Sequence, residues 1–516
     1  MPNRPLNPPA SSLKPQASSL KPQASSLKPL TKLSLEQNAP SSTLSAMTLR
    51  NFATVSLSSL LALTSCTVGP AYKEPETKVD ATFGNLKKGS YSTDAAVAVW
   101  WTKFNDRQLN SLIDQALANN QDLRIAGARV EEAKALRSAV KLDFFPTVTS
   151  TAGYTNEKLS RAQSNFRNTF ELYDGGFDAS WELDFWGRVR NNYRAAVAEV
   201  ESAEALRQDT MVLLTAEVAR AYLELRGLQN QLTVARRNSD NQRETLKLTE
   251  SLLQGGRGTE LDTARARAQL STTLAAIPLI ENALSKDIHR IGVLVGSQPT
   301  ALESQLKTPK PMPALPSIVR VGNPTELLRR RPDIRSAERL LDAATRKVGV
   351  ATADLFPRVT FNGSASIQAE TLSGLSGAGV GATSFGPRIS WPAFDIGRVK
   401  AQIKVTNARL DGQLATYEKT VITALEETEN SLVEFGLLRI RRNHLRDAAT
   451  ASEQAAKLAR DRFQNGVADF LTVLDAERVM LEAQNQQAQS ETGTATALVG
   501  IYKALGGGWE PSGVKK

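Results

Sequence analysis

The sequence predicts a mixed α and β fold built from an internal two-fold repeat. Motifs recur at a nearly constant spacing, and each half contains short alternating segments followed by a very long helical segment. Gly256 recurs as Gly466 and Trp181 recurs as Trp391, in both cases 210 residues later. Four such anchors keep nearly the same offset, which is typical of a chain built from repeated structural units.

Each half opens with a helical pattern, over residues 109–142 in the first half and 324–355 in the second. Both patterns stop at a Phe-Pro pair, because the residue before a proline disfavours the helical backbone. Arg331 and Pro332 lie near the start of the second pattern, with proline in the first turn, where its missing N–H does no harm. We interpret this motif as structural, near the middle of the molecule.

Two alternating segments follow each of these helices. They lie near residues 147–155 and 177–185 in the first half, and near residues 359–368 and 388–391 in the second. Apolar residues at every second position predict strands that place one face in an apolar medium and the other in water. A membrane sheet and a soluble β-sandwich both fit this periodicity.

Each strand pair is followed by a predicted helical hairpin with one very long arm. The long arms cover residues 190–253 and 399–464 and contain no proline. A helix of this length rises roughly 90 Å at about 1.5 Å per residue. The shorter arms cover residues 259–295 and 470–505. Helices as long as the long arms are typical of coiled-coil and helical-barrel assemblies rather than of globular domains.

Glycines mark the turn of each hairpin. Gly255 and Gly256 interrupt the first helical pattern, and Gly466 interrupts the second. Because glycine has no side chain, it adopts a positive φ without strain. We therefore expect all three glycines to have a positive φ.

The N-terminal region predicts export and lipid attachment. Residues 1–46 carry a Pro-rich heptapeptide repeat and are expected to be either upstream sequence preceding a true start at Met47 or a disordered extension. Residues 47–65 have a basic residue and then an apolar run, as in a secretory signal peptide. The run ends in a bacterial lipobox at Cys66, and Thr67 after it favours the outer membrane. The alternative is a chance buried cysteine.

Composition argues against several functions. The net charge is +10, of which residues 1–46 and Arg50 contribute half, and the remaining charges of both signs are interspersed, unlike a nucleic-acid footprint. The chain has one cysteine and two histidines, His289 and His444, both inside helical patterns. No metal-ligand, nucleotide-binding or catalytic motif is present, so we predict no enzyme, no metal and no cofactor other than a covalent lipid.

Five motifs in this order resemble the hallmarks of TolC-type outer-membrane factors. The first, Thr67-Val68-Gly69-Pro70-Ala71-Tyr72 after the lipobox, is similar to the lipoprotein branch that serves resistance-nodulation-division pumps. The others are Trp100-Trp101-x-x-Phe104-x-Asp106-x-x-Leu109, Ala116-Leu117-x-x-Asn120-x-Asp122-Leu123, Arg330-Arg331-Pro332-Asp333-Ile334 and Tyr502-Lys503-Ala504-Leu505-Gly506-Gly507-Gly508-Trp509. The resemblance covers about residues 66–510.

The resemblance implies a passive homotrimeric exit duct in the outer membrane. Its expected fold is a 12-stranded transmembrane β-barrel with four strands per protomer, continuous with a long periplasmic α-helical barrel and a mixed equatorial domain. The implied partners are a periplasmic adaptor, an inner-membrane transporter and outer-membrane lipid. The expected segments after the signal peptide are 66–105 (lipidated), 106–315 (first repeat), 316–506 (second repeat) and 507–516 (tail).

Two other protein classes are weighed against this duct. A periplasmic adaptor lipoprotein is expected to have a single helical hairpin between β-rich halves. A trimeric coiled-coil structural protein is expected to show sustained heptads without paired strands. The duplication of the chain, with strands before each hairpin, argues against both.

The resemblance also implies a gate at the second hairpin turn. Leu471 and Asp475 are four residues apart, so they share one helix face, and they match family positions that project into the closed pore. Three copies would form an apolar constriction and an acidic ring. The alternative is that Asp475 is a surface acid beside Arg478. The position of a second acidic ring found in the family is occupied here by Thr472.

The hairpin tips are the expected docking site for the adaptor. Gly255, Gly256 and Gly466 shape these tips, and Arg257 and Arg265 are candidate charges that hold the gate shut against neighbouring acids. The alternative is that both arginines are solvated helix charges, since exposed ion pairs contribute only about 0–1 kcal/mol each.

Overall fold

The structure, a computed structural model, describes residues 67–85, 91–94, 98–158, 169–316 and 318–509. The predictions on residues 1–46, on the signal peptide and on Cys66 lie outside the described residues. The helices are α1 (Arg107–Asn119), α2 (Gln121–Leu142), α3 (Arg188–Gln254), α4 (Glu260–Leu294), α5 (Glu303–Leu306), α6 (Pro324–Arg330), α7 (Pro332–Ala353), α8 (Ile396–Gln464) and α9 (Phe470–Ala504). The strands are β1 (Tyr91–Ser92), β2 (Thr147–Lys158), β3 (Thr169–Leu183), β4 (Val319–Arg320), β5 (Arg358–Ala369) and β6 (Gly381–Ser390).

The helical pattern that opens each half is divided into two helices. Asn120 separates α1 from α2 with an extended ψ of 136°, and its side-chain oxygen accepts the backbone N–H groups of Asp122 and Leu123. Arg331, at the equivalent place in the second half, separates α6 from α7 with a ψ of 122°. The single helices predicted over residues 109–142 and 324–355 are therefore wrong, because a residue with an extended backbone interrupts each one near its start. The two breaks lie at equivalent positions of the two repeats.

The four predicted strands form one antiparallel sheet in the order β2-β3-β5-β6. The two inner strands come from different halves: Trp181 of β3 pairs with Phe361 of β5. The sheet therefore joins the repeats side by side, with β2 and β6 at its edges. Strands β1 and β4, which the sequence analysis did not predict, form a separate two-stranded parallel sheet.

Both predicted hairpins are present. The long arms α3 and α8 have 67 and 69 residues, and the short arms α4 and α9 have 35 each. Each short arm packs along its own long arm, and α9 also packs along α3, so the two hairpins lie side by side. The absence of proline from the long arms and the few glycines in them account for their unbroken length.

The main hydrophobic core lies where the two repeats meet. Trp100 is fully buried, stacks on Tyr502 with ring centroids 5.0 Å apart, and donates its indole N–H to the carbonyl of Gly507. Trp509 donates to the carbonyl of Arg330. The aromatic motif near residue 100, the Arg-Arg-Pro-Asp motif and the C-terminal Gly-Gly-Gly-Trp motif thus meet in one packed region, which explains their residue types by packing.

Candidate functional site: the apolar sheet face and the hairpin tips

The register of the four strands gathers the apolar residues on one face. Phe177 of β3 stands opposite Ser150 and Ala365, and every second residue from there lies on the same side. This face carries Val148, Ala152, Tyr154, Tyr173, Phe177, Ala179, Trp181, Leu183, Val359, Phe361, Ala365, Ile367, Phe385 and Ile389. The opposite face carries mainly Thr, Ser, Asn and charged residues.

The apolar face is open in the protomer. Phe385 is 85% exposed, and Phe177, Val148 and Ile389 are also exposed. A contiguous apolar surface of this kind is not typical of a soluble monomer and indicates a contact with lipid or another apolar partner. Among the described residues, none of the helices combines the length and apolar character needed to span a membrane.

Tryptophans line the end of the sheet that adjoins the helices. Trp181 and Trp391 each donate an indole N–H to a backbone carbonyl at 3.0 Å, that of Phe144 and that of Leu355 respectively. Trp186 donates to a third carbonyl at 2.9 Å. Tryptophans with an apolar ring and a hydrogen-bonded N–H are enriched where a membrane meets water.

Thr67 and Val68 lie at this same level. The backbone N–H of Val68 donates to the carbonyl of Trp186 at 3.1 Å, and Asn191 donates to the carbonyl of Val68 at 3.3 Å. Thr67 packs so closely on the backbone that a Cβ on Gly187 would lie 2.7 Å from its methyl carbon. The residue that follows Cys66 is therefore fixed beside the tryptophans at the end of the sheet.

The hairpin turns have the expected positive φ at two of the three glycines. Gly256 has a φ of +67° and Gly466 a φ of +74°, and in each turn the next residue donates its N–H to the carbonyl five residues earlier at 2.8 Å. This is the Schellman arrangement that ends a helix with one left-handed residue. The expectation for Gly255 is wrong: its φ is −80°, matching −82° at Asn465, because the turn needs only one left-handed position.

Leu471 and Asp475 lie one turn apart on an exposed face of α9. Leu471 is 52% exposed, and Asp475 forms an ion pair with Arg478 at 2.9 Å in which both side chains are mostly exposed. Thr472 is engaged elsewhere. It donates its N–H and its hydroxyl to Asp469, the N-cap of α9. The protomer thus presents one apolar and one acidic side chain beside the second tip.

Arg265 and Arg257 belong to the first hairpin, where Arg257 is exposed in the turn. The charge of Arg265 acts on Asp469, the N-cap of α9 in the second hairpin. The two hydrogen bonds from Thr472 hold the pKa of Asp469 below its usual range, and the positive charge of Arg265 lowers that pKa further. Arg265 therefore acts across the two hairpins within one protomer.

Glu477 is a buried acid that its sequence context does not predict. It is 2% exposed, and its Oε1 accepts from Arg460 at 2.8 Å and from Thr245 of the other hairpin at 3.1 Å. In the first hairpin the equivalent pair is Glu250 and Arg267, 3.2 Å apart and exposed, with the charges exchanged between the helices. A comparison of charges at equivalent positions of the two repeats would have found this exchange.

Arg331 is the centre of a charged cluster beneath the core. It contacts Asp333 at 2.7 Å and Glu427 at 2.8 Å, and donates to the carbonyl of Ala504 at the end of α9 at 3.0 Å. Burial, and next the charge of Asp333, raise the pKa of nearby Asp209 to about 6. Three acids therefore share one buried guanidinium.

We expect Asp209→Asn to stabilise the protein at pH 7.5 and to change little at pH 4.5. The folded-state pKa of about 6 lies above the ordinary 3.8, so the folded protein holds more protons between these values and loses stability as pH rises through them. The gain at pH 7.5 is on the order of 1–2 kcal/mol. Thermal melting at both pH values measures it, with the exposed Asp240→Asn on the same helix as control. Equal gains at both pH values would contradict a titrating Asp209.

A known protein family matches the chain in two segments, one in each repeat. The family model described as "Outer membrane efflux protein" matches residues 112–297 and 323–507, two segments that correspond to the two repeats. Among the described residues, no group of three or more His, Cys, Asp or Glu side chains could hold a metal ion.

Curated relatives align over most of the chain. The chain is 32% identical over 468 residues to the toluene efflux pump outer membrane protein TtgF of Pseudomonas putida, an alignment that covers 88% of this chain and 97% of the relative. It is 32% identical over 485 residues to the pyoverdine export outer membrane protein OpmQ of Pseudomonas aeruginosa, covering 90% and 98%.

Solved structures have the same fold. The outer-membrane channel OprN superposes with a TM-score of 0.81 at 42% identity, over 86% of this chain and all of that one. The open state of the MtrE outer membrane channel of Neisseria gonorrhoeae superposes with a TM-score of 0.75 at 28% identity, over 86% and 99%.

Proposed function

The chain belongs to the outer membrane efflux protein family, and from this premise we propose that it is the exit duct of a three-part efflux pump. As a member of this family it is a passive outer-membrane channel of an efflux system and not an enzyme. The duct carries cargo from a periplasmic adaptor and an inner-membrane transporter of the resistance-nodulation-division class to the outside. The curated relatives, named as pump outer membrane proteins, support these partners.

The open apolar sheet face is the observation that carries the proposal. In lipid an unpaired strand edge leaves backbone N–H and C=O groups without partners, which is too costly to persist. Four strands cannot close on themselves, so β2 and β6 pair with strands of other copies. Three copies give a closed barrel of 12 strands with the apolar face toward lipid and the polar face toward a water-filled lumen.

A lipid on Cys66 fits the position of Thr67, the residue that follows it. Thr67 lies beside the tryptophans at the end of the sheet. Each buried methylene contributes about 0.8 kcal/mol, and several chains therefore hold the N-terminus firmly in the outer membrane.

The hairpins supply the periplasmic part of the duct. Helices of the length of α3 and α8 extend far beyond the sheet. At about 1.5 Å per residue they reach roughly 100 Å from the sheet to the tips. The turns at Gly255, Gly256 and Gly466 dock the adaptor.

The gate lies at the same end of the duct. Leu471 and Asp475 of three copies form the constriction. Arg257 and Arg265 hold the tips together, which the effect of Arg265 on Asp469 supports.

The cargo is chosen elsewhere in the pump. TtgF is named for toluene and OpmQ for pyoverdine, although both are 32% identical to this chain. A wide duct with a polar lumen makes few contacts that distinguish one small molecule from another. We assign cargo selection to the inner-membrane transporter.

The proposal is tested by purifying the full chain from outer membranes and measuring its mass in detergent and its conductance in a planar bilayer. We expect a trimer that carries lipid on Cys66 and conducts ions. In parallel, deletion of the gene is expected to sensitise cells to one class of toxic compounds, with rescue by a copy that starts at Met47. A monomer that does not insert into the bilayer would overturn the duct.

A further inference from the structure

A groove of about 790 Å³ lies along one face of α7, between α3 and α8. Its floor contains Leu340, Ala344 and Ala351, which are four and seven residues apart and therefore share one face of the helix. Helix α8 supplies one wall through Arg409 and Gln413, and α3 supplies the other. All three helices belong to one protomer, so the groove is complete without a second copy of the chain.

The groove lies on the inner side of the proposed duct. The segment that leads to the proposed lipid anchor runs over α7, where Tyr72 donates its hydroxyl to Glu338 at 2.7 Å. Further along, Gly69 packs against the backbone of Gly349. Lys347, which lines the groove, is nine residues from Glu338, or about two and a half turns, and is therefore on the opposite face. Because the anchored segment must lie on the outside of the duct, the groove faces the lumen.

The charges that line the groove leave one arginine uncompensated. Lys347 forms an ion pair with Glu199 across the groove, and Asp354 forms one with Arg358 at 3.1 Å. Within the part of the chain that the structure describes, Arg409 has neither an ion pair nor a hydrogen bond through its side chain. The groove therefore presents a free guanidinium beside an apolar floor.

We propose that this groove binds amphipathic organic anions, such as aromatic carboxylates, as they pass through the duct. Its volume lies within the range of small-molecule sites, which are mainly apolar with a few placed polar groups. The planar guanidinium of Arg409 matches the geometry of a carboxylate. The short side chains of Ala344 and Ala351 leave room for the apolar body of the ligand, and Leu340, which is 37% exposed, offers it a contact surface.

This inference rests on the proposed duct, because the duct makes the groove part of a lumen. It adds one class of cargo that is held on the wall during transit. The groove does not select the cargo, since a wide lumen leaves room for other molecules to pass. Cations gain nothing from Arg409, so the wall distinguishes the sign of the charge on molecules that share one apolar body.

Fluorescent probe binding to the full chain in lipid nanodiscs tests the groove. Dansylglycine is an aromatic carboxylate whose fluorescence rises in an apolar site, and dansylcadaverine carries the same ring with a positive charge. We expect saturable binding of dansylglycine above the signal of empty nanodiscs and little binding of dansylcadaverine. Arg409→Gln should weaken dansylglycine binding by about tenfold or more, because a hydrogen-bonded charge pair is lost.

Two further variants locate the site. Ala344→Leu fills the floor and keeps Arg409, so it should also weaken binding of dansylglycine. Arg446→Gln removes an exposed arginine of the same helix outside the groove and should leave binding unchanged. The conductance of each variant in a planar bilayer shows that the channel has formed.

The outcomes separate the groove from the duct. A conducting trimer overturns the groove alone if it binds no dansylglycine above empty nanodiscs or binds both probes equally. Undiminished binding by Ala344→Leu, or an equal loss in Arg446→Gln and Arg409→Gln, overturns it as well. A monomer that does not insert into the bilayer overturns the duct, and the lumenal groove with it.

Discussion

Replacing Arg331 with alanine is expected to cost about 1–3 kcal/mol of folding stability, because it leaves a group of partly exposed acids without their cation. The Arg331 side chain is 10% exposed and binds Asp333 and Glu427, and Asp209 lies close enough for Asp333 to raise its pKa. The same variant removes the donor to a carbonyl at the end of α9. We expect little folded channel in the outer membrane, measured by immunoblot and by thermal melting of what remains.

Two further variants separate charge from general disruption. Arg329→Ala removes a neighbouring exposed arginine. Its effect on the free energy of unfolding is expected to stay below about 0.5 kcal/mol, as for most surface substitutions. Arg331→Asn introduces the residue that the first repeat has at the equivalent Asn120, which caps α2 and donates to the carbonyl of Leu294 at 2.9 Å. This variant should give α7 a side-chain cap that Arg331 does not provide, but not the ion pairs.

The pH dependence of the stability of the Arg331 variants distinguishes a loss caused by charge from a loss caused by packing. The pKa of Asp209 in the intact cluster is about 6. If unpaired acids account for the loss, the Arg331 variants should recover stability as pH falls through that value, because protonation removes the uncompensated charge. A loss of the same size at pH 5 and pH 8 would show that packing, and not charge, is the role of Arg331.

The long helices could be predicted almost to the residue. Residues 190–253 and 399–464 were expected, and α3 and α8 span Arg188–Gln254 and Ile396–Gln464. Local rules suffice there, since proline is absent and a glycine turn ends each helix. Strands β2 and β5 were nearly as accessible, because a period of two persists along each. The first eight residues of β3 and the first seven of β6 were not predicted.

The features that were missed depend on partners distant in sequence. The break at Asn120 is fixed by the carbonyl of Leu294, 174 residues away, and the surrounding sequence alone favours an uninterrupted helix. Glu477 looks like an ordinary exposed helix acid until α3 of the other hairpin covers it. Gly255 was predicted wrongly because two adjacent glycines do not reveal which one takes the left-handed position.

Replacing Asp475 with alanine is expected to make the constriction favour anions over cations. Asp475 and Arg478 form an ion pair at 2.9 Å on the exposed face of α9, so the proposed ring contains three acids and three bases and is close to neutral. Removing the acids leaves three arginines in a narrow pore, which repels cations. The ratio of K⁺ to Cl⁻ permeability should fall several-fold in a planar bilayer at low salt, and Arg478→Ala should raise it.

Asp240 provides a matched control for this experiment. It forms the same type of pair with Arg243, three residues later and 2.6 Å away, on an exposed stretch of α3. This pair lies several helical turns from the first tip, so Asp240→Ala should leave the permeability ratio unchanged. The effect of Asp475→Ala should shrink in 1 M salt, where the screening length falls to about 3 Å. If both aspartate variants behave like the unmodified channel at low salt, Asp475 does not line the constriction and the gate must be sought at other residues of the tips.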